Sequence, residues 1–296
     1  MAPVNLFEVN SDGFKQFLES FDHVFSDCDG VLWLTEALPG VGDFIRLMKE
    51  NGKTVNFVSN NSMRSKENYT KMFDNAGIPD GFENLTTPSV AMVEYLKSVN
   101  FDKHVFCLTC PETKKMLEIN GFKTKYGPDV TYDSFADFAD YLIDDADIGA
   151  VAFDSDYKVN LPKMYKAATY LKRPEVLFMN GPTDRYVPFR GQMSIGASFA
   201  TDLVSELVKR EPIGLGKPSK DFGVFAMRRA WVTDPSRVLF IGDMIEQDVG
   251  LGKNTGFKTL LVLTHCTEDE MKAEPLARQP DFFAPSLGSL VPKFIE

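Results

Sequence analysis

In the stretch FSDCDGVLW, Phe25 to Trp33, two carboxylates, Asp27 and Asp29, stand two residues apart at the end of a short apolar run, Val24 and Phe25. Gly30 follows at once. If the run is a strand, its last residues project off the carboxyl edge of a sheet, where open α/β sheets bind ligands. Cys28 then faces away from the pair, and Gly30 lets the backbone turn sharply. Two acids in one mouth suit a metal ion and a division of labour, one attacking while the other moves a proton. A calcium loop would need an oxygen ligand two residues on and a glutamate at the twelfth position. Val31 and Leu38 stand there, so that reading fails.

Outward from this stretch the pattern is βα alternation. Ser11 or Asp12 can cap a helix carrying Phe14, Phe17, Leu18 and Phe21. After the DCDG turn, Phe44, Ile45, Leu47 and Met48 mark a second helix, closed by Gly52. Thr54 to Val58 then forms a second strand, running into Ser59, Asn60 and Asn61. Consecutive strands joined by a helix are parallel and deliver their polar ends to the same edge. Ser65 caps the next helix, and Thr87 with Pro88 opens another.

From about Lys103 the alternation restarts. Strands are expected at HVFCLT, Ile148 to Phe153 and Val176 to Met179. Helices are expected over Glu112 to Asn120, around Phe135, Phe138, Tyr141 and Leu142, around Met164 to Leu171, and near Gly196 to Lys209. A polar loop holds Gly181, Pro182, Asp184, Arg185, Pro188 and Arg190. The first pattern then resumes. Pro218 after Lys217 suits a first helical position, with the helix running to Ala230. SRVLFIGD is a strand ending in Asp243, followed by a helix near Gln247 to Lys253, and KTLLVL and DFF finish the sheet. The expected fold is α/β: a Rossmann-like parallel-sheet core domain, residues 1–100 and 211–296, with an inserted α/β cap domain, residues 101–210.

Composition narrows the function. A net charge of −10 without a basic block argues against nucleic acid. No apolar run approaches the length of a membrane span, and the first residues lack the pattern of a signal peptide, so a cytoplasmic location is expected. Cys107 and Cys110 form a CxxC, but no second ligand pair accompanies it, and a buried strand followed by a helix opening at Pro111 explains both. The three histidines, His23, His104 and His265, are far apart in sequence. A His-rich metal site or a Ser-His-Asp triad is therefore not expected, and the chemistry rests on carboxylates and a lysine.

Four strand-end signals line up: Asp27 with Asp29, Ser59 with Asn60 and Asn61, Lys217, and Asp243 with Asp248. Their order resembles the haloacid dehalogenase superfamily. The fuller runs GVLWLTEALPG, FVSNNS, GKPS and IGDMIEQD are similar to its 4-nitrophenylphosphatase branch, which includes phosphoglycolate and pyridoxal phosphate phosphatases. The spacing agrees: 59 − 27 = 32 residues separate the first two motifs and 217 − 59 = 158 the next two, the gap in which that branch inserts its cap.

The resemblance implies an Mg²⁺-dependent phosphomonoester hydrolase for small phosphate esters. Asp27 would be the nucleophile and a metal ligand, with Asp243, the backbone carbonyl of Asp29 and, through water or in support, Asp248. Asp29 would be the acid/base. Lys217 and Ser59 would neutralise and bind the phosphoryl group, with Asn60 and Asn61 in the same turn. In the cap loop GPTDRYVP, Asp184 and Pro188 match the branch, but Pro182 stands where it often has Asn or Asp. Val187 replaces the histidine of pyridoxal phosphate phosphatases, and MSIGAS keeps only Gly196 of a Pro-Gly-Thr-Gly stretch. Arg185 and Tyr186 are candidates for contact with an acidic leaving group. A phosphomutase or protein phosphatase on the same core, or a binding protein that kept the fold, are the alternatives. Caps in the branch often dimerise, so a homodimer through the cap is allowed, with the phenylalanines of residues 135–153 serving either that interface or the cap's own core.

Overall fold

The computed structural model describes residues 2–127, 139, 142–189 and 192–295. It divides into two compact units, the first comprising Met1–Ser59, Arg64–Thr86 and Lys217–Glu296, the second Asn60–Met63 and Thr87–Gly216. In chain order the first unit contributes strands β1 (Val4–Asn5), β2 (His23–Ser26), β3 (Thr54–Val58) and β4 (Leu85–Thr86). The second contributes β5 (His104–Leu108), β6 (Lys123–Tyr126), β7 (Ile148–Phe153), β8 (Leu177–Asn180), β9 (Tyr186–Phe189), β10 (Gln192–Ile195) and β11 (Ile213–Gly214). The chain then returns to the first with β12 (Val238–Gly242), β13 (Lys258–Val262) and β14 (Phe282–Ala284).

In the first unit these strands form one seven-stranded sheet in the order β1-β14-β13-β12-β2-β3-β4, parallel throughout. A parallel sheet is covered on both faces, so its central strands must be apolar nearly end to end. VLFIG of β12 is buried at every position, and so are Val24, Phe25 and Ser26 of β2. Helices Ser11–Glu19, Val41–Glu50 and Lys66–Asn75 lay Phe14, Phe17, Phe44, Met48, Tyr69 and Phe73 into a core that also holds Trp33 and Phe57. The first helix is capped by Asn10, which accepts from the Gly13 N–H at 3.0 Å, rather than by Ser11 or Asp12. Ser65 caps the third as expected.

The second unit has a five-stranded parallel sheet, β11-β8-β7-β5-β6, with helices Leu161–Leu171 and Ser198–Val208 packed onto a core of Phe106, Phe153, Tyr170 and Phe178. Cys107 and Cys110 are buried thiols, one in β5 and one just before helix Pro111–Ile119, and form no disulfide. Of the helix expected around Phe135, Phe138, Tyr141 and Leu142, only Leu142 lies among the described residues, in a turn; Arg190 also lies outside them.

Several expectations are corrected. The second unit takes in Asn60–Met63 and Thr87–Gly216, where the expected cap was 101–210, and helix Pro88–Ser98 joins it by packing against helix Pro111–Ile119. The polar loop after β8 contains an antiparallel hairpin, β9 with β10, in which Tyr186 faces Ile195 in register. Pro188 is tolerated there because a two-stranded ribbon has outer edges that need no donor. Pro218 does not open the helix at Lys220–Arg229. Ser219 caps it, and the Lys217–Pro218 peptide before it is cis. After β12 the chain makes a π-helical turn, Ile245–Val249, before helix Gly250–Thr255. No helix among the described residues is long and apolar enough to cross a membrane.

Candidate active site

β2 lies between β12 and β3 in the first unit, so the residues that follow these three strands meet at one edge of the sheet. Asp27 leaves β2 with its N–H still bonded to Ile241 O of β12, at 2.8 Å. Asp243 leaves β12, and Ser59 leaves β3. Lys217 enters where the chain returns to this unit, and its ammonium nitrogen sits 2.8 Å from Asp27 Oδ1 and 2.7 Å from Asp248 Oδ1. All five side chains are buried. The π-helical turn folds Asp248 back so that its Oδ2 accepts from the N–H groups of Asp243 (3.0 Å) and Met244 (2.9 Å). Gly242 makes room for that return, since a Cβ there would lie 2.1 Å from Asp248 Cβ.

Gly30 does the same on the opposite side. Its φ of +81° is left-handed, and an added Cβ would come within 2.0 Å of Asp243 Oδ2. Glycine is the residue that meets both requirements.

Ligand oxygens of Asp27, Asp243 and Asp248 lie within 4.8 Å of one another. Burial pushes Asp27 well above the usual carboxylate range, against the lowering effect of Lys217, while Asp248 and Asp243 add to the rise. Burial also lifts Asp243 to about 6, opposed by its hydrogen bond to His265. Burial works to lower Lys217, but Asp248 and Asp27 more than offset it and hold the ammonium above its ordinary value. Asp243 Oδ1 is buried with no hydrogen-bond partner among the described residues. An orphaned carboxylate oxygen beside two further carboxylates is a donor set that fits a hard divalent cation such as Mg²⁺.

Asp29 stands apart from this trio. Its Oδ2 is 2.5 Å from Arg64 Nη1 and its Oδ1 accepts from Trp33 Nε1 at 3.1 Å. Ser59 is buried, with Tyr69 Oη donating to its hydroxyl at 3.4 Å.

The remaining expected residues belong to the second unit. Asn60 Nδ2 donates to Asp184 Oδ2 at 3.1 Å, and Asn61 Oδ1 accepts from the Met63 N–H at 3.0 Å. Arg185 is largely exposed and pairs with Asp202 at 3.3 Å, and Tyr186 is exposed in β9. Two site residues escaped the sequence reading, Arg64 and His265. His265 contacts Asp243 through Nδ1, and that hydrogen bond is the main cause of its raised pKa. Its signal was available, because Thr264 and His265 are polar residues just past the apolar strand β13, the rule that exposed Asp243.

Residues 24–123 match a family model described as haloacid dehalogenase-like hydrolase, and residues 214–290 one described as HAD-hydrolase-like. Phosphoglycolate phosphatase 2 of Arabidopsis thaliana is 31% identical over 98% of each chain. The chain belongs to the haloacid dehalogenase-like hydrolases. Within them this hydrolase is a phosphatase, similar also to the 4-nitrophenylphosphatase of Schizosaccharomyces pombe, at 29% identity over 94% of this chain and 95% of the other. Its fold matches the p-nitrophenyl phosphatase from Archaeoglobus fulgidus with a TM-score of 0.76, at 24% identity, covering 92% of this chain and 99% of that one.

Proposed function

We propose that this hydrolase cleaves small phosphate monoesters with the help of Mg²⁺, by way of a phosphoryl group carried on Asp27. The observation that carries the reading is the single ammonium of Lys217 shared by Asp27 and Asp248, beside the orphaned oxygen of Asp243. Asp27, Asp243 and the backbone carbonyl of Asp29 would hold the ion, with Asp248 in support. When bound, the ion supplies positive charge against the substrate dianion.

A phosphate dianion repels an approaching carboxylate, so fixed positive charge has to come first. Lys217 supplies it to both reacting groups, and the Ser59 hydroxyl donates to a phosphoryl oxygen. One oxygen of Asp27 attacks phosphorus, the bond from phosphorus to the ester oxygen breaks, and Asp29 gives that oxygen its proton. Asp29 then takes a proton from a water, whose oxygen attacks phosphorus. The bond to Asp27 breaks, inorganic phosphate leaves, and both carboxyls return to their first states. Arg64 and Trp33 grip the two oxygens of Asp29 and fix the direction of the proton transfer.

Relatives named for phosphoglycolate, 4-nitrophenyl phosphate and, in Rattus norvegicus, glycerol-3-phosphate favour small esters as substrates. The second unit would act as the cap that selects among them, Arg185 and Tyr186 being its candidates for the leaving group. The test is phosphate release from a panel of such esters, with a phosphoserine peptide added, in Mg²⁺ or EDTA. Metal-dependent release that Asp27→Asn abolishes is expected. Substantial turnover by the Asn variant would refute the nucleophile. Phosphate retained on the protein until an alcohol acceptor is added would mark a phosphomutase instead.

A further inference from the structure

Each carboxylate of the trio is held differently. Asp27 is fixed by Lys217, and Asp248 by Lys217 and two backbone N–H groups. Asp243 has neither. Among the described residues the one side chain in hydrogen-bond contact with its carboxylate is His265, whose Nδ1 meets Oδ2. The other oxygen, Oδ1, is buried and unpartnered.

The turn that carries His265 is itself anchored to the DCDG turn, because Thr264 Oγ1 donates to Gly30 O at 2.6 Å. Gly30 keeps the contact possible: a Cβ at that position would lie 2.0 Å from Asp243 Oδ2 and 2.7 Å from His265 Nδ1. The imidazole is partly exposed, so the core does not need it for packing. None of the proposed chemical steps uses it either.

We propose that His265 is a positioning residue that sets the metal affinity of the site, holding Asp243 by Oδ2 and so reserving Oδ1 for the cation. The inference rests on the metal-dependent reading above. A carboxylate with one oxygen tied down loses a rotation that a bound ion would otherwise have to freeze. Outer partners of this kind typically change metal affinity by about 10–100-fold when removed.

The test is Mn²⁺ binding to the full-length, EDTA-stripped protein, followed by the loss of the free-ion paramagnetic resonance signal, with competition by MgCl₂. Wild type, His265→Ala, His265→Asn and Asp243→Asn are compared, after unfolding midpoints in EDTA show that each is folded. His265→Ala should weaken binding by about 10–100-fold. His265→Asn, whose amide nitrogen can occupy the place of Nδ1, should recover most of the loss. A His265→Ala protein that binds as tightly as wild type, while Asp243→Asn does not bind, overturns the role of His265 and leaves the metal site standing. Equal weakening in the Ala and Asn variants overturns it as well. A wild-type protein that takes up no Mn²⁺ removes the metal reading and this inference together.

Discussion

Replacing Lys217 by Met keeps the aliphatic stem and deletes the charge that two buried carboxylates share. Its ammonium lies 2.8 Å from Asp27 and 2.7 Å from Asp248. Because Met fills nearly the same volume, the loss is electrostatic rather than a cavity. Leaving a buried charge without its partner costs about 3–5 kcal/mol. That corresponds to a fall in midpoint of about 5–15 °C, depending on whether the first unit or the whole chain melts as one. The deficit should also depend on pH. Asp27 is already raised well above the ordinary range by burial, and losing Lys217 raises it further. A carboxyl whose folded pKa is raised stabilises fully below its unfolded value, about 3.9, and that contribution is lost as pH rises through the folded value. The variant should therefore lie close to wild type near pH 4 and far below it at pH 8. Denaturant unfolding in EDTA measures this, with the buried Trp33 reporting on the first unit. A deficit below about 1 kcal/mol at pH 8, or one that is the same at both pH values, would refute the account of Lys217 as the counter-charge.

Gly30→Ala combines a left-handed φ, costing about 1–2 kcal/mol, with a Cβ 2.0 Å from Asp243 Oδ2. A displacement of about 1 Å at a reacting site lowers kcat by on the order of 100-fold, and a near-normal kcat for 4-nitrophenyl phosphate would contradict the geometry. Arg64→Ala frees Asp29, so kcat should fall more for glycerol phosphate, whose alkoxide needs a proton, than for 4-nitrophenyl phosphate; equal losses would separate Arg64 from proton transfer. In the second unit, burial raises the Asp154 carboxyl above its ordinary value, against hydrogen bonds from Thr113 and Ser155. Its stabilising contribution is present below about pH 3.9 and lost as pH rises through the raised value, so Asp154→Asn should flatten the fall in unfolding free energy as pH rises above about 3.9. Parallel pH curves for the two proteins would argue that Asp154 is not the titrating group.

Of the first sheet, β2, β3, β12, β13 and β14 were legible as apolar runs, whereas β1 and β4, two residues each, are too short to carry such a pattern. Asp27, Ser59 and Asp243 were found by the rule that polar residues follow such runs, and Thr54 to Val58 agrees with β3 residue for residue. Arg64 was not, because its partner Asp29 lies 35 positions away and no local pattern records that; His265, just past the end of β13, obeyed the rule and was passed over. That the stretch from Thr87 onward belongs to the second unit was hidden for a reason similar to that for Arg64. The Thr87-Pro88 signal fixes where a helix begins but not which sheet it packs on. The hairpin from Tyr186 to Ile195 was masked by its turn-forming residues, since Gly181, Pro182 and Pro188 outweigh a short alternation of β-formers.

The place of β2 between β3 and β12 has a consequence for biosynthesis. Its neighbour on one side follows almost at once, but β12 begins 238 − 26 = 212 residues after β2 ends. At about 5–20 residues per second, the ribosome takes roughly 10–40 s to supply it. For that interval one edge of β2 has no strand to pair with, and unpaired edges recruit other chains. Asp27 meanwhile waits for the lysine that will neutralise it. Chains interrupted before Val238 are therefore expected to clump rather than to show partial activity, and the growing polypeptide depends on whatever shields that edge until its last fifth emerges.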